Sequence, residues 1–328
     1  MDATAQPDAH GPSYEVFGVV LATRHELATA LVETTATPDV VFELVDAPLI
    51  PETSWGPPLR EEAGEFALYR VHDCEVLHFI DEATFFLMDQ RIFCFLPDSS
   101  RRHVVEIRLL GAVLAYWLES RGIPTLHASA VVVGDRAVAF VSGNGGGKTS
   151  LAAELMRRGH RMLTDDILPI DVRNEAAHGR PGYPQMRMWP AEAERFVGTV
   201  EGLVTVHPAF DKLRVPVGGD GLGDFCREAT TLGTIYFLNP VATREPPRFE
   251  RVPPHETVML LVAAGFAARV AGVAPQAAER FHTLGKVATS VPVWWLTYGR
   301  QRSTIEDLTE EVLVHMRDSA GPADTGGR

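Results

Sequence analysis

The stretch Ser142 to Thr149, reading SGNGGGKT, constrains this chain more than any other. It stands between an apolar run, AVAFV (Ala137 to Val141), and a helical pattern, LAAELMRRG (Leu151 to Gly159). Strand, glycine-rich turn and helix form the setting in which a loop wraps a phosphate group. Glycines let the backbone approach an anion closely, so that successive N–H groups point at its oxygens. The helix that follows adds the positive end of its dipole. In such a loop Lys148 reaches the β- and γ-phosphates of a nucleotide and Thr149 offers its hydroxyl to Mg²⁺. The expected cradle is Ser142, Gly143, Asn144, Gly145, Gly146, Gly147, Lys148, Thr149 and Ser150. The usual pattern begins with Gly; here Ser142 holds that position and Gly143 follows it. A glycine-rich turn that only caps a helix has no need of Gly-Lys-Thr at the helix entry.

The lysine itself is informative. Lys148, Lys212 and Lys286 are the only lysines among 30 basic residues. An ammonium acts on phosphate as a compact point charge that a guanidinium does not reproduce.

Two further features frame the loop. After Gly159, a plausible left-handed cap, the chain reads HRMLTDDILPIDV, expected as a strand with Asp165 and Asp166 near its end. Two adjacent carboxylates cannot both face an apolar core at low cost, and neighbouring strand residues point to opposite faces. A metal and a base could occupy the two directions; a solvated strand end is the plainer alternative. Upstream, His127 opens the apolar run LHASAVVV, and Gly134-Asp135 then separates it from the strand feeding the loop. Gly at the first central position of a two-residue turn predicts a type II′ hairpin. The strand entering the loop therefore pairs antiparallel with its predecessor, unlike a G-protein core.

His127, the loop and GHRMLTDD together resemble the catalytic domain of HPr kinase/phosphorylase, a type related to PEP carboxykinase. His127 precedes Lys148 by 21 residues and Asp165 follows it by 17, spacings similar to the family's. The resemblance is strong over about residues 124 to 171 and looser to about 315, where LGTIYFL (Leu232 to Leu238) and VPVWWLTYGR (Val291 to Arg300) contribute. It implies an α/β fold with an HPr kinase/PEP carboxykinase-type P-loop core. It implies ATP and Mg²⁺ as cofactors, with Lys148 on the phosphates and Thr149 and Asp166 on the metal. Asp165 is implied as the base for an acceptor hydroxyl, helped or oriented by His127. The residues alone leave open which aspartate takes which role. The Glu-x-Arg-Gly-x-Gly signature of true HPr kinases is missing, and GYPQMRMWP (Gly182 to Pro190) stands in its region. Its P-x-x-R-x-W-P pattern resembles HPr-kinase-like proteins encoded with lasso peptides, which phosphorylate a precursor peptide on serine.

The implied function is transfer of the γ-phosphoryl group of ATP to a serine of a ribosomally made precursor peptide. The alternatives are a kinase of a small hydroxyl-bearing molecule such as serine, and a nucleotide-dependent ATPase or switch with no acceptor. Four substrate residues are candidates. Arg187 and Trp189 could hold phosphate or stack on a peptide, or simply pack together. Lys212 and Arg214, in FDKLRVPV, could neutralise a transferring phosphoryl group, or lie on a solvated strand edge.

Composition bounds the rest. A net charge of −13 disfavours nucleic acid as a partner. No run approaches 18 apolar residues, so no membrane span is expected. The polar start MDATAQPDAHGPS has no charged-then-apolar signal pattern, and Cys74, Cys94 and Cys226 are odd in number and lack CxxC spacing. We expect a cytoplasmic protein with buried thiols; the 12 His show no zinc-ligand spacing, and oligomeric state stays open. We expect a β-rich N-terminal domain over residues 1–100, with 1–13 disordered, a P-loop kinase core over 101–318, and a disordered tail over 319–328. Expected strands of the first domain are VFGVVLA, FALYRV, CEVLHFI, TFFLM and RIFCFL. A helix capped by Ser100 and ended by Gly122 is expected to start the core. TIEDLTEEVLVHMRD forms an amphipathic helix capped by Thr304 or Ser303, and Trp294 and Trp295 fall on opposite strand faces with one in the core.

Overall fold

A computed structural model describes residues 10–208, 210–266, 276–299 and 304–319. Arg300, Ser303 and the segments 1–9 and 320–328 lie outside the described residues. Nine strands come first: β1 (Ser13–Val16), β2 (Val19–Thr23), β3 (Val32–Thr34), β4 (Val40–Val45), β5 (Arg60–Glu62), β6 (Phe66–Val71), β7 (Cys74–Phe79), β8 (Ala83–Met88) and β9 (Arg91–Phe95). They form one mixed sheet in the order β3-β1-β2-β4-β9-β8-β7-β6-β5. VFGVVLA is not one strand. Phe17 and Gly18 both have positive φ, at 54° and 69°, and fold it into the β1–β2 hairpin. Ser13, the last residue of the segment expected to be disordered, belongs to β1.

The helical segment after β9 is α1 (Arg102–Arg108), a π turn over Leu109–Val113, and α2 (Leu114–Glu119). Its break falls at Gly111, the residue with non-helical φ and ψ. The side chain that caps its 3₁₀ entry is Asp98, accepting from Ser100 N at 2.9 Å, rather than that of Ser100. Gly122 follows the end with φ of 76°, as expected. Val105, Leu109, Val113 and Trp117 sit in one buried cluster with Leu21, Phe42, Leu77 and Phe85 of the N-terminal sheet. Their apolar stripe therefore faces that sheet.

The remaining strands are β10 (Thr125–Leu126), β11 (Ala128–Val133), β12 (Arg136–Val141), β13 (Arg161–Thr164), β14 (Leu168–Arg173), β15 (Ala176–Gly179), β16 (Gln185–Met188), β17 (Thr205–His207), β18 (Phe210–Pro216), β19 (Asp224–Phe225), β20 (Thr230–Val241), β21 (Arg248–Arg251) and β22 (Val293–Gly299). Interleaved helices are α3 (Lys148–Arg157), α4 (Pro190–Val197), α5 (Pro254–Ala263), α6 (Ala277–Ser290) and α7 (Ile305–Ser319). The large second sheet runs β10-β14-β15-β20-β12-β11-β13-β19, with β22 on β20 and β21 on β22. β16, β18 and β17 form a separate small sheet.

β11 and β12 pair antiparallel through Val133 and Arg136, and Gly134 has φ of 65° while Asp135 does not enter the positive region, as a type II′ turn requires. β12 also pairs parallel with β20. Both faces of this hairpin are covered, which explains its unbroken apolar sequence. Ala137, Ala139 and Val141 pack toward α5 and α6, against Leu261, Leu284 and Val287. Val138 and Phe140 pack toward α3 and α7, against Leu151, Leu155 and Val312. Helices on both faces of a mixed sheet make this half an α/β layered core. Trp294 and Trp295 do alternate, but both are half-buried: Trp294 meets His315 of α7, and Trp295 meets Phe237. Thr304 caps α7, its hydroxyl accepting from Asp307 N at 3.2 Å, and the helix runs through Ser319, one residue into the expected tail.

HRMLTDDILPIDV is two strands rather than one. β13 ends at Thr164, and Asp166, with φ of 76°, turns the chain into β14. Aspartate tolerates this left-handed conformation better than most side chains.

α2 and α6 are joined by a buried ion pair. Glu119 is fully buried and accepts from Thr125 N and Oγ1 at 2.8 and 3.0 Å, while Arg280 Nε donates to its other oxygen. Arg280→Met should leave an uncompensated buried carboxylate and cost about 3–5 kcal/mol of stability. Urea unfolding of the two proteins measures this directly.

Candidate active site

The loop between β12 and α3 owes its shape to two close approaches. A Cβ on Gly146 would lie 2.2 Å from Ser142 Oγ, and one on Gly147, whose φ is 89°, would lie 2.8 Å from Tyr298 Oη. Only glycine fits either position. Tyr298, on β22, donates to Gly146 O at 2.9 Å and so holds the loop from two strands away, across β20. Ser142, Gly143 and Asn144 face a wide cleft, while the Ser150 hydroxyl bonds Glu192 of α4 and turns away from the loop.

Lys148 is 8 % exposed. Its Nζ donates to Ser142 O at 2.8 Å and approaches His127 Nε2 at 3.2 Å. An ammonium only donates, so Nε2 accepts and the imidazole proton sits on Nδ1. That nitrogen lies 3.0 Å from Asp166 O and 3.2 Å from Asp166 Oδ1. His127 thus bridges the loop lysine and Asp166; it does not touch Asp165, the aspartate it was expected to orient. Burial lowers the Lys148 pKa, opposed by Asp166 and Asp165.

The two aspartates sit side by side in different surroundings. Asp165 is 7 % exposed and has both oxygens engaged. Oδ1 accepts from Ser129 Oγ at 2.6 Å and Thr149 Oγ1 at 3.2 Å; Oδ2 accepts from Arg187 N at 3.2 Å. Burial pushes its pKa up, and the charge of Asp166 adds to the rise. Burial acts on Asp166 in the same direction, but the His127 hydrogen bond and the Arg187 guanidinium outweigh it and hold the group at about 2. Arg187 Nη1 is 3.2 Å from Asp166 Oδ2, and its Nη2 donates to Tyr183 Oη at 3.1 Å.

The substrate candidates separate. Thr149, Asp165, Asp166, Arg187 and Lys212 line one cavity of about 420 Å³, together with Glu82, Arg108, His207 and Phe210. Trp189 does not pack on Arg187. It is 47 % exposed, and the cation over its ring is Lys212, with Nζ 5.6 Å from the centroid. Lys212 lies on β18, the middle strand of its sheet, not on a solvated edge. Arg214 is outside the site: it bonds Thr29 and the buried Glu106. Its charge is already matched, so it has no phosphoryl-neutralising part.

Sequence reading missed four contributors. Ser129 is legible in retrospect as the polar residue inside an apolar strand buried on both faces. Tyr298 and Arg108 carried no local signal, because each acts through a neighbour distant in the chain; Tyr183 bonds Arg187 only four residues on, just before β16. Among the described residues no group of three or more His, Cys, Asp or Glu gathers around a point. One hydroxyl and two carboxylates nonetheless form the hard oxygen set that suits Mg²⁺, which takes one or two carboxylates and shares its other positions with phosphate and water. The three free cysteines are buried, and burial pushes Cys74 up to about 11. No helix among the described residues is long and apolar enough to cross a membrane.

No family model matches this chain, and no curated protein matches it. Among solved structures it is similar to the Hpr(Ser) kinase/phosphatase from Coxiella burnetii, at 14 % identity over 60 % of this chain and 97 % of that chain, with a TM-score of 0.30.

The Tyr298 hydroxyl is a test of how the loop is held. Tyr298→Phe keeps the ring and removes one hydrogen bond, an effect of about 0.5–1.5 kcal/mol. Affinity for a nucleoside triphosphate should fall by about 2- to 12-fold, measured by calorimetric titration, with the far-ultraviolet circular dichroism unchanged.

Proposed function

We propose that the protein is an ATP- and Mg²⁺-dependent phosphotransferase acting on a serine hydroxyl of a peptide, as in the maturation of a lasso-type precursor. The observation that carries this reading is one cavity in which a loop threonine, two inequivalent carboxylates and an arginine converge beside a buried loop lysine. Phosphoryl transfer asks little covalent chemistry of a protein; it needs positioned phosphates, offset charge and an oriented nucleophile. Lys148 and the loop amides would hold the β- and γ-phosphates, with Lys148 leaving the Ser142 carbonyl to do so. Thr149 and Asp166 would hold Mg²⁺, which when bound offsets charge on the phosphate oxygens. Asp166 suits that place because it stays ionised. Asp165, whose pKa is raised, suits the base. It would take the proton of the acceptor hydroxyl as the oxygen bonds to the γ-phosphorus and ADP departs. Arg187, ion-paired to Asp166 and bonded to Asp165 through its backbone, would keep the pair apart and oriented. A pure nucleotide switch has no use for such a second carboxylate. A peptide acceptor is favoured over free serine by exposed aromatic surface at and beside the cavity: Phe210, 60 % exposed, lines it, and Trp189, 47 % exposed, lies under Lys212, which lines it too.

Lys148→Ala should abolish turnover and weaken ATP binding; phosphorylation continuing near the wild-type rate would sink the assignment. Mass spectrometry after incubation with ATP and Mg²⁺ reads the transfer on peptide and on free serine in parallel.

The aspartates should separate. Asp165→Asn should keep ATP–Mg²⁺ affinity and lose about 10²- to 10⁴-fold in transfer, the usual contribution of a general base. Asp166→Asn should instead weaken the Mg²⁺-dependent part of nucleotide binding. Equal loss of affinity in both variants would merge the two roles.

A further inference from the structure

On the other side of His127 from the carboxylate cavity lies a cleft of about 1050 Å³, between the N-terminal sheet and the ends of β12, β20 and β22. Its walls include Phe66, Phe79, Phe237, Phe266 and Trp295. The cleft is continuous with the site in two ways. Phe266 packs edge-on against His127 at 5.6 Å between centroids. Glu82 and Arg108 line both the cleft and the carboxylate cavity. Those two are ion-paired at 2.6 Å, and the guanidinium also lies over the Phe79 ring at 4.4 Å. Their charges are matched to each other, so they form a partition between the two cavities.

We propose that the cleft receives an apolar side chain of the phosphoryl acceptor, so that the preferred acceptor is a peptide with a bulky apolar residue next to its serine. This rests on the phosphotransferase reading and adds a specificity to it. An extended peptide places neighbouring side chains on opposite sides of its backbone. With a serine hydroxyl at Asp165, the next side chain can cross the Glu82–Arg108 partition into the cleft. Concave sites lined mainly by aromatic and aliphatic groups bind ligands by burying apolar area. The nucleotide base is the competing occupant. The cleft is reached from Ser142, Gly143 and Asn144, the opening half of the loop, and from His127.

The test uses two serine peptides of equal length and charge, one with Leu and one with Gly beside the serine. The wild-type protein should favour the Leu peptide by roughly tenfold or more in kcat/KM, the range that apolar pockets give. Ala263→Trp, at an exposed cleft position on the last turn of α5, should obstruct the cleft and reduce the preference while ATP affinity stays unchanged. Phe66→Ala, on the opposite wall, should reduce the preference and guards against a folding defect in the first variant. Equal turnover of both peptides by the wild type overturns the inference and leaves the kinase reading intact. A fall in ATP affinity in Ala263→Trp, with the preference kept, overturns it by giving the cleft to the nucleotide. Failure of the wild type to bind ATP or phosphorylate either peptide removes the phosphotransferase reading, and the inference with it.

Discussion

Burial of a positive and a negative charge within one small volume is the constraint on which the rest of the site depends. Lys148 and Asp165 are 8 % and 7 % exposed, and neither ion could be buried unpartnered. Their partners come from five places: Ser142 at the loop start, His127 before β11, Ser129 within β11, Thr149 on α3 and Arg187 on β16. Each contact requires a particular register. The β11–β12 hairpin sets His127 and Ser129 beside the loop, and the β13–β14 turn delivers both aspartates to the same point. The fold is therefore organised around satisfying this cluster.

The asymmetry between the two aspartates follows from what surrounds them. Asp165 is raised by burial and by the neighbouring charge of Asp166, which outweigh the hydrogen bonds it accepts from Ser129 and the Arg187 amide and the more distant Arg187 charge. Asp166 meets a guanidinium and an imidazole and stays ionised. Adjacent residues acquire opposite proton affinities because the positive φ of Asp166 turns its side chain toward different neighbours. Environments that split two titratable groups in this way are the means by which one site supplies both a charge and a base.

The N-terminal sheet contributes to the site as well as to the architecture. Glu82, just before β8, and Arg108, at the end of α1, close the carboxylate cavity and wall the apolar cleft. The buried pair of Glu119 and Arg280 ties the helical segment that lies on this sheet to the helices of the other half. The geometry of the carboxylate cavity is thus shared between both halves of the chain.

Much of this was legible in the residues themselves. The loop, its lysine and threonine, the helix after it, the Gly134 hairpin and the aspartate pair all depend on local spacing and on glycine's backbone freedom. Local rules govern them, and sequence alone determined them. Pairing was not legible. His127 bonds Asp166 rather than Asp165, Arg214 spends its charge on Glu106, Ser150 turns to Glu192, and Trp189 stacks under Lys212 instead of Arg187. The strand expected through the aspartates breaks there, and VFGVVLA folds back on itself. The two strand breaks turn on residues in the left-handed region, but for each of the four side-chain pairings the deciding partner lies far along the chain, and only the tertiary structure brings it close enough for a hydrogen bond or a charge to act.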